Sequence, residues 1–173
     1  MPRLTRRWLL ILLLPLALLW LADHLFPLPL PEDDLARVVL AEDGTPLWRF
    51  ADRDGVWRYP VTPEEVSPYY LEALLTYEDR WFRQHPGINP LALGRAVWQN
   101  LTGGRVVSGG STLSMQVARL LDPHGRDLPG KLKQLWRTAQ LEWQLSKDEI
   151  LTLYLNRAPF GGTLQGVAAA SWS

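Results

Sequence analysis

The sequence predicts a mainly α-helical domain, preceded by a short β-hairpin region and by one membrane-anchoring helix. Three observations predict this arrangement. An uninterrupted apolar run lies near the N-terminus, and two β-rich runs flank an Asp-Gly turn further along. From residue 62 onward, apolar residues recur with helical spacing between breaks rich in proline and glycine. A chain of 173 residues has room for one domain with a real core.

Residues 1–26 are predicted to be a cytoplasmic basic tail and a signal-anchor transmembrane helix. Three arginines within the first seven residues precede the apolar run WLLILLLPLALLWLA, which can extend to Phe26. The run alone is shorter than the roughly 20 residues that cross a bilayer. A cleaved signal peptide is the alternative, but Trp20 stands where a cleavage site needs a small residue. The positive-inside rule places the arginines in the cytoplasm and exports the rest of the chain.

Residues 27–61 are predicted to be a stalk followed by a β-hairpin linker. PLPLPEDD, at residues 27–34, alternates prolines and ends in acids, which is typical of an extended segment that lifts a domain off a membrane. In residues 36–50, Asp43 and Gly44 separate two short β-rich runs and therefore predict a hairpin turn.

Residues 62–173 carry the helical pattern of the main domain. Ser67 and Pro68 open a helix that is expected to run through SPYYLEALLTYEDRWF, and Pro90 opens the next one, to about residue 101. Further helices are predicted at about residues 112–121, 129–145 and 147–156, the last of them after a capping box of Ser146 and Glu149. The chain stops within another helical segment that has no stop signal, so a C-terminally truncated domain is expected.

The predicted helix at residues 129–145 has one apolar face, which is expected to lie against the core. This face is formed by Leu132, Leu135, Trp136, Ala139 and Trp143.

Glu78 is the first candidate for chemistry, because it lies on the apolar side of the first of these helices. Leu74, Leu75, Trp81 and Phe82 are three or four residues away. Burying an unpaired carboxylate on the apolar face of a helix costs about 2–7 kcal/mol of folding free energy. Burial also favours the protonated form, which suits a group that accepts a proton at neutral pH. A partly buried glutamate paired with a nearby arginine explains the pattern equally well.

A second candidate site is the glycine-rich turn SGGST at a predicted helix start. Ser108, Ser111 and Thr112 supply hydroxyls, and free backbone amides with the helix dipole favour a phosphate. Nearby cations, at Arg105, Arg119 and Lys131, would fit a diphosphate. An ordinary N-capped helix after a flexible turn is the alternative. The Walker lysine is absent, which excludes a nucleotide P-loop.

Composition excludes several other functions. The 18 basic and 18 acidic residues balance, so no nucleic-acid binding is indicated. The chain contains no cysteine, which forbids disulfides and thiolate metal sites. His24, His85 and His124 lack the spacing of metal ligands. Neither a G-x-S-x-G elbow nor an S-x-x-K nucleophile motif is present.

Three motifs, EDRWFRQHPGI, GGSTLSMQ and SKDEILTLYLN, resemble in order and separation those of the bacterial peptidoglycan glycosyltransferases. These are the transglycosylase domains of class A penicillin-binding proteins and the monofunctional transglycosylases. The resemblance covers residues 35–173 and the anchor. It implies a lysozyme-like glycosyltransferase domain in the periplasm or on the outer membrane surface. A single pass through the bacterial inner (cytoplasmic) membrane would leave the N-terminus cytoplasmic.

The resemblance also implies the reaction and its partners. Such an enzyme polymerises lipid II into glycan strands by inverting transfer, with undecaprenyl diphosphate as leaving group, in cell wall biogenesis and the maintenance of cell shape. The implied partners are lipid II, the growing lipid-linked glycan, the inner membrane and cell-wall synthesis proteins. No tightly bound cofactor is expected, although Mg²⁺ or Mn²⁺ often accompanies the donor diphosphate in this family. Without a transpeptidase domain, no β-lactam should bind.

By the same resemblance, Glu78 is the catalytic base that deprotonates the 4-hydroxyl of the acceptor sugar. The implied substrate-binding residues are Asp79, Phe82, His85, Arg105, Ser111, Thr112, Gln116, Arg119, Lys131 and Gln134. The third motif departs from the family, because KLKQ places Gln134 where the family has a second glutamate and Gly130 where it has a basic residue. The amide cannot carry charge or bind metal as a carboxylate does.

Two other classes of function stay open at this point. A lysozyme-type enzyme that cleaves glycan also uses one glutamate in a helical fold, but it has no lipid diphosphate for the SGGST turn to hold. An inactive scaffold of a cell-wall synthesis complex is the other alternative, motivated by Gln134 and by the expected truncation.

Overall fold

The structure is a computed structural model that describes residues 2–31, 36–103 and 110–172, with the backbone alone at residues 2–12, 92, 93, 96, 97, 100 and 101. Its helices are α1 (Pro2–Leu25), α2 (Pro68–Glu78), α3 (Pro90–Gly103), α4 (Leu113–Leu121), α5 (Leu128–Gln144), α6 (Lys147–Arg157) and α7 (Val167–Ser171). Its strands are β1 (Val38–Leu40), β2 (Pro46–Arg49), β3 (Trp57–Arg58), β4 (Pro159–Gly161) and β5 (Leu164–Gln165). A 3₁₀ turn, Pro63–Glu65, precedes α2. The predicted mainly helical class is confirmed.

Helix α4 lies at the centre of the core. It packs against α5 and α6, and Leu113, Val117 and Ala118 are almost completely buried. Thr112 is its N-cap, as the glycine-rich turn predicts, and the Thr112 hydroxyl accepts the backbone N–H of Met115 at 3.2 Å. Because neighbouring helices enclose α4, its backbone is held in place. The side chains at the edge of the core therefore project from a fixed helix.

Helix α2 begins at Pro68 as predicted, but it ends at Glu78, before the expected Trp81 and Phe82. Residues 80–84 form a turn instead. Phe82 is 1% exposed and belongs to the core, whereas Trp81 is 51% exposed, so the prediction that both flank Glu78 on one helical side is wrong. The helix ends because Asp79 forms hydrogen bonds to groups outside it. A further helical turn would carry Asp79 away from these partners.

Helix α5 turns a different face to the core than its apolar pattern predicts. Leu132 and Trp143 are 60% and 64% exposed, while Gln134, Thr138 and Leu141 are buried. The polar side chains can be buried because they find partners within the fold. The Thr138 hydroxyl, for example, donates to the Gln134 carbonyl at 2.7 Å.

Two small sheets flank the helices. Strands β1 and β2 pair antiparallel, which confirms the predicted hairpin, and Gly44 in its turn has a φ of +84° that favours glycine. Strand β5 lies between β3 and β4 and pairs parallel with β3. No strand was predicted after α6, since strands of two or three residues leave little pattern. This second sheet joins the N-terminal linker to the C-terminal segment.

The N-terminal region forms the predicted helix, α1. In the part of the chain that the structure describes, no helix combines the length and the apolar character needed to cross a membrane. The predicted stalk is not a free spacer, because Leu28 is 8% exposed within the core cluster. Nη1 of Arg137 on α5 also donates to the carbonyls of Phe26 (2.8 Å) and Pro27 (2.9 Å). Burial of Leu28 and these bonds hold the segment on the domain, and residues 32–34 lie outside the described residues.

Candidate active site

Glu78 stands at the last position of α2 and is partly buried. Nε2 of Gln116 on α4 donates to its Oε2 at 2.8 Å. Its other oxygen, Oε1, accepts no hydrogen bond from the described residues, and no ion pair of Glu78 with an arginine is found among them. One carboxylate oxygen is thus oriented by Gln116, and the other can accept a proton from a bound hydroxyl.

Two phenols lie within the electrostatic influence of this carboxylate. Burial, and then the negative charge of Glu78, raise the pKa of Tyr154 to about 12. The same two causes raise the pKa of Tyr70 above its usual value. Both phenols therefore keep their protons at neutral pH.

Asp79 connects the end of α2 to the start of α4. Nε2 of His85 donates to Oδ1 and Oδ2 of Asp79 at 2.9 and 3.0 Å, and the backbone N–H of Leu113 donates to Oδ2 at 3.0 Å. Asp79, His85 and Phe82 are all buried. These three predicted site residues are therefore buried and support the site from the interior of the domain.

The second motif contributes both to the fold and to the site. Thr112 is buried, and its hydroxyl donates to the carbonyl of Gly87 while it caps α4. Ser111 is exposed and lines a pocket. Arg105 and Ser108, which were also predicted to bind the substrate anion, lie outside the described residues.

That pocket has a volume of about 210 Å³ and is rich in cations. Its lining residues are Ser111, Arg119, His124, Gly125, Arg126, Asp127, Lys131 and Gln134. Burial, and then the neighbouring Arg119 charge, lower the pKa of Lys131. The Asp127 carboxylate accepts the backbone N–H of Gly130 at 3.0 Å, which caps α5. We name this cavity the cationic pocket; a bound anion would relieve the repulsion between its positive charges.

Gln134 is 5% exposed, and both ends of its amide are used. Its Oε1 accepts from Nζ of Lys131 at 3.0 Å, and its Nε2 donates to the carbonyl of Met115 at 2.7 Å. Reversing the amide would face its NH₂ group to the Lys131 ammonium, so these partners decide its orientation. A glutamate at this position could accept from Lys131 but could not donate to Met115.

Gly130 departs from the family for a steric reason. A Cβ at this position would lie 2.2 Å from the carbonyl oxygen of Gly125. No side chain fits there unless the loop before α5 moves. A basic residue at this position, as the family resemblance would imply, would therefore clash with the local backbone.

Helix α4 connects the two parts of the site. It carries Gln116, which holds Glu78, and Arg119, which lines the cationic pocket. Three residues advance an α-helix by about 4.5 Å along its axis. The two residues of α4 that contact the carboxylate and line the cationic pocket therefore lie within about one helical turn of each other.

Sequence reasoning missed several residues of this neighbourhood. Tyr154 was only part of a helical motif, and His124 was noted only for lacking metal-ligand spacing. Glu142 accepts from the Ser114 hydroxyl and from Nζ of Lys147, the latter at 2.7 Å. Contacts of this kind join distant segments, and no local pattern in the sequence announces them.

Comparison with known proteins identifies the family of the chain. Residues 43–173 match the Transglycosylase family model. Across its whole length the chain is 68% identical to penicillin-binding protein 1C of Escherichia coli (strain K12), of which it covers 23%. Over 66% of its length it is 38% identical to penicillin-binding protein 1A of the same organism, of which it covers 14%. Over 57% of its length it is 45% identical to penicillin-binding protein 1B of Vibrio cholerae serotype O1, of which it covers 13%.

The chain therefore spans less than a quarter of the length of these relatives. Their similarity confirms the family that the three sequence motifs indicate. The chain belongs to the transglycosylase family.

Proposed function

We propose that this chain is the glycosyltransferase part of a peptidoglycan polymerase, which extends glycan strands from lipid II. The observation that supports the proposal most directly is that helix α4 contributes to both parts of the site. Gln116 orients the Glu78 carboxylate, and Arg119, one turn further, lines the cationic pocket. A transfer from a diphosphate donor needs both parts, a base for the acceptor and positive charge for the leaving group.

In the proposed reaction, Oε1 of Glu78 takes the proton of the acceptor sugar's 4-hydroxyl. The acceptor oxygen attacks the anomeric carbon of the lipid-linked donor from the face opposite the diphosphate. The new glycosidic bond forms as the bond from that carbon to the diphosphate oxygen breaks, so the anomeric centre is inverted. Undecaprenyl diphosphate leaves with the bonding electron pair. A positioned general base typically contributes about 10²–10⁴-fold to such a rate.

The cationic pocket would receive the diphosphate as its negative charge grows. Arg119 and Lys131 line the pocket, and a partly dehydrated site strengthens their attraction for an anion. The lowered pKa of Lys131 supports this role, since it reflects a cation that burial and Arg119 have left without compensation. Gln134 would act through Lys131 by holding its ammonium in place.

The pocket does not provide the donor set of a resident metal. The described residues include no group of three His, Cys, Asp or Glu side chains that could hold an ion, and Oε1 of Gln134 is already bonded to Lys131. We propose that Mg²⁺ or Mn²⁺, where it takes part, arrives on the oxygens of the substrate diphosphate.

We further propose that α1 attaches the domain to the bacterial inner membrane, with its basic N-terminus in the cytoplasm and the domain outside. Supporting this, apolar side chains along its second half, among them Leu14 and Trp20, are largely exposed. A lipid-linked donor also requires the site to lie close to a membrane. The growing lipid-linked glycan would be the second substrate, and cell-wall synthesis proteins would be further partners.

Product analysis tests the proposed activity. The chain is incubated with lipid II in one reaction and with finished, uncrosslinked glycan in another. We expect polymer from lipid II, with one undecaprenyl diphosphate released for each new bond, and no fragments from the finished glycan. Fragments without polymer would make the protein a lysozyme-type cleaving enzyme. If neither polymer nor fragments form, the result favours an inactive scaffold.

A further inference from the structure

One histidine of the cationic pocket has a ring nitrogen that the fold leaves unused. Nδ1 of His124 lies 2.8 Å from the carbonyl oxygen of Asp122. A carbonyl only accepts hydrogen bonds, so Nδ1 carries a proton and donates it. In the neutral ring, Nε2 then has a lone pair and no hydrogen. Nε2 is buried and has no hydrogen-bond partner within the described part of the chain, which is uncommon for a buried polar atom.

The charges that face His124 are mainly positive. From α4, Nη2 of Arg119 donates to the backbone carbonyl of His124 at 3.3 Å. From the following loop and α5, Arg126 and Lys131 line the same pocket. The pocket that His124 lines therefore favours an anionic ligand.

The two carboxylates nearby offset these charges only in part. Asp122 accepts from Nζ of Lys133 at 2.6 Å and from Nε of Arg137 at 2.7 Å. Although burial opposes it, these two bonds lower the pKa of Asp122. Asp127 caps α5 and leaves one negative charge in the pocket, against the three cations Arg119, Arg126 and Lys131. The positive charge that remains in the pocket is thus available to a ligand.

We propose that His124 is a proton-dependent ligand of the donor's diphosphate, whose Nε2 donates to a diphosphate oxygen once it is protonated. Because the Asp122 carbonyl fixes the tautomer, only the doubly protonated ring can donate from Nε2. Binding of the anion therefore takes up a proton. This inference rests on the proposed function, which places a diphosphate in the cationic pocket.

The proposal predicts tighter diphosphate binding as the pH falls. The probe is inorganic pyrophosphate, titrated by calorimetry at pH 6 and pH 8 into the wild type, His124→Gln and the control His24→Gln. His24 lies on α1, where its ring stacks on Trp20. Comparing proteins at each pH cancels the titration of pyrophosphate itself. At pH 6 we expect His124→Gln to bind about tenfold more weakly than the wild type, as for loss of one hydrogen bond to a charged group.

At pH 8 the difference should largely vanish, and His24→Gln should match the wild type at both pH values. Equal affinities of His124→Gln and the wild type at pH 6 would overturn the proposal. So would a difference of the same size at both pH values, since it would mean a role independent of the proton.

A second measurement needs no variant of His124. The ring nitrogens of the histidines are followed by NMR across the pH range with and without pyrophosphate. Pyrophosphate should move the titration of Nε2 of His124 to higher pH and leave His24 unchanged, and an unmoved His124 titration would contradict the proposal.

The lipid II assay separates this inference from the function on which it rests. Polymer formation with no effect of His124 on pyrophosphate binding would contradict the inference alone. Pyrophosphate binding that depends on His124, in a protein that makes no polymer, would contradict the proposed function alone.

Discussion

Substitution Asp79→Asn tests how the two halves of the site are held together. The buried Asp79 carboxylate accepts from the Leu113 backbone and from the His85 ring. Asparagine has nearly the same shape but only one accepting oxygen. Placed where Oδ2 lies, that oxygen can accept from both Leu113 and His85, but the NH₂ group then replaces Oδ1 and faces the His85 N–H.

The structure allows the cost to be estimated. Hydrogen bonds to a charged group contribute about 1.5–3 kcal/mol and neutral ones about 0.5–1.5 kcal/mol, so loss of the charge weakens both the Leu113 bond and the His85 bond. We therefore expect Asp79→Asn to reduce the free energy of unfolding by about 2 kcal/mol. With a urea m-value of about 1–3 kcal/mol/M, the unfolding midpoint falls by roughly 1 M. Turnover should also fall, because the start of α4 would no longer be tied to the segment that follows Glu78.

Urea unfolding measures this, with Asp148→Asn as the matched control. Asp148 pairs with Arg83 at 2.7 Å, but both side chains are more than half exposed. Exposed pairs contribute little, so the control should lose no more than about 0.5 kcal/mol. If Asp79→Asn were no less stable than Asp148→Asn, the inferred connection between α2 and α4 would be refuted.

Three further predictions follow from individual contacts. Gln134→Glu should destabilise the chain by about 1–3 kcal/mol in urea unfolding, because its carboxylate would face the Met115 carbonyl; higher stability would mean that the amide bond has no role. Arg119→Ala should weaken binding of the lipid II donor more than binding of the acceptor in equilibrium titrations, and equal weakening would place the diphosphate elsewhere. Burial and the Glu78 charge raise the pKa of Tyr154 from 10.0 to about 12, so the folded state keeps a proton that the unfolded chain loses. This difference stabilises the folded state by about 1–2 kcal/mol below pH 10, and the stabilisation is lost between pH 10 and pH 12. When the free energy of unfolding is measured in urea across this range, Tyr154→Phe should flatten its decline with pH. An unchanged slope of that decline would contradict the pKa shift.

Local signals in the sequence predicted the helix starts well. Thr112 after a glycine-rich turn and the Ser146–Glu149 capping box are short-range signals, and both mark helix starts in the structure. The end of α2 was missed because Asp79 bonds to Leu113, which lies 34 residues further along the chain. The buried face of α5 was missed for a related reason, since Gln134 is satisfied by Met115 of another helix.

The site residues also divide into those that sequence motifs predicted and those whose roles depend on distant contacts. Glu78 and Gln116 were named from family motifs, and the structure places them in hydrogen-bond contact. The roles of Asp79 and Gln134 as supports depend on partners that the motifs do not specify. His124 belongs to no motif, and its position beside Arg119 and Lys131 follows only from the loop between α4 and α5.

The most direct test of the central claim compares the rates at which wild type, Glu78→Gln and Glu72→Gln consume lipid II. Glu72 lies on the same helix, is exposed, and loses the same charge on substitution. Loss of a general base should reduce turnover by at least about 10²-fold in Glu78→Gln, while Glu72→Gln should keep the wild-type rate. Unaltered turnover in a folded Glu78→Gln variant would contradict the assignment of Glu78 as the base.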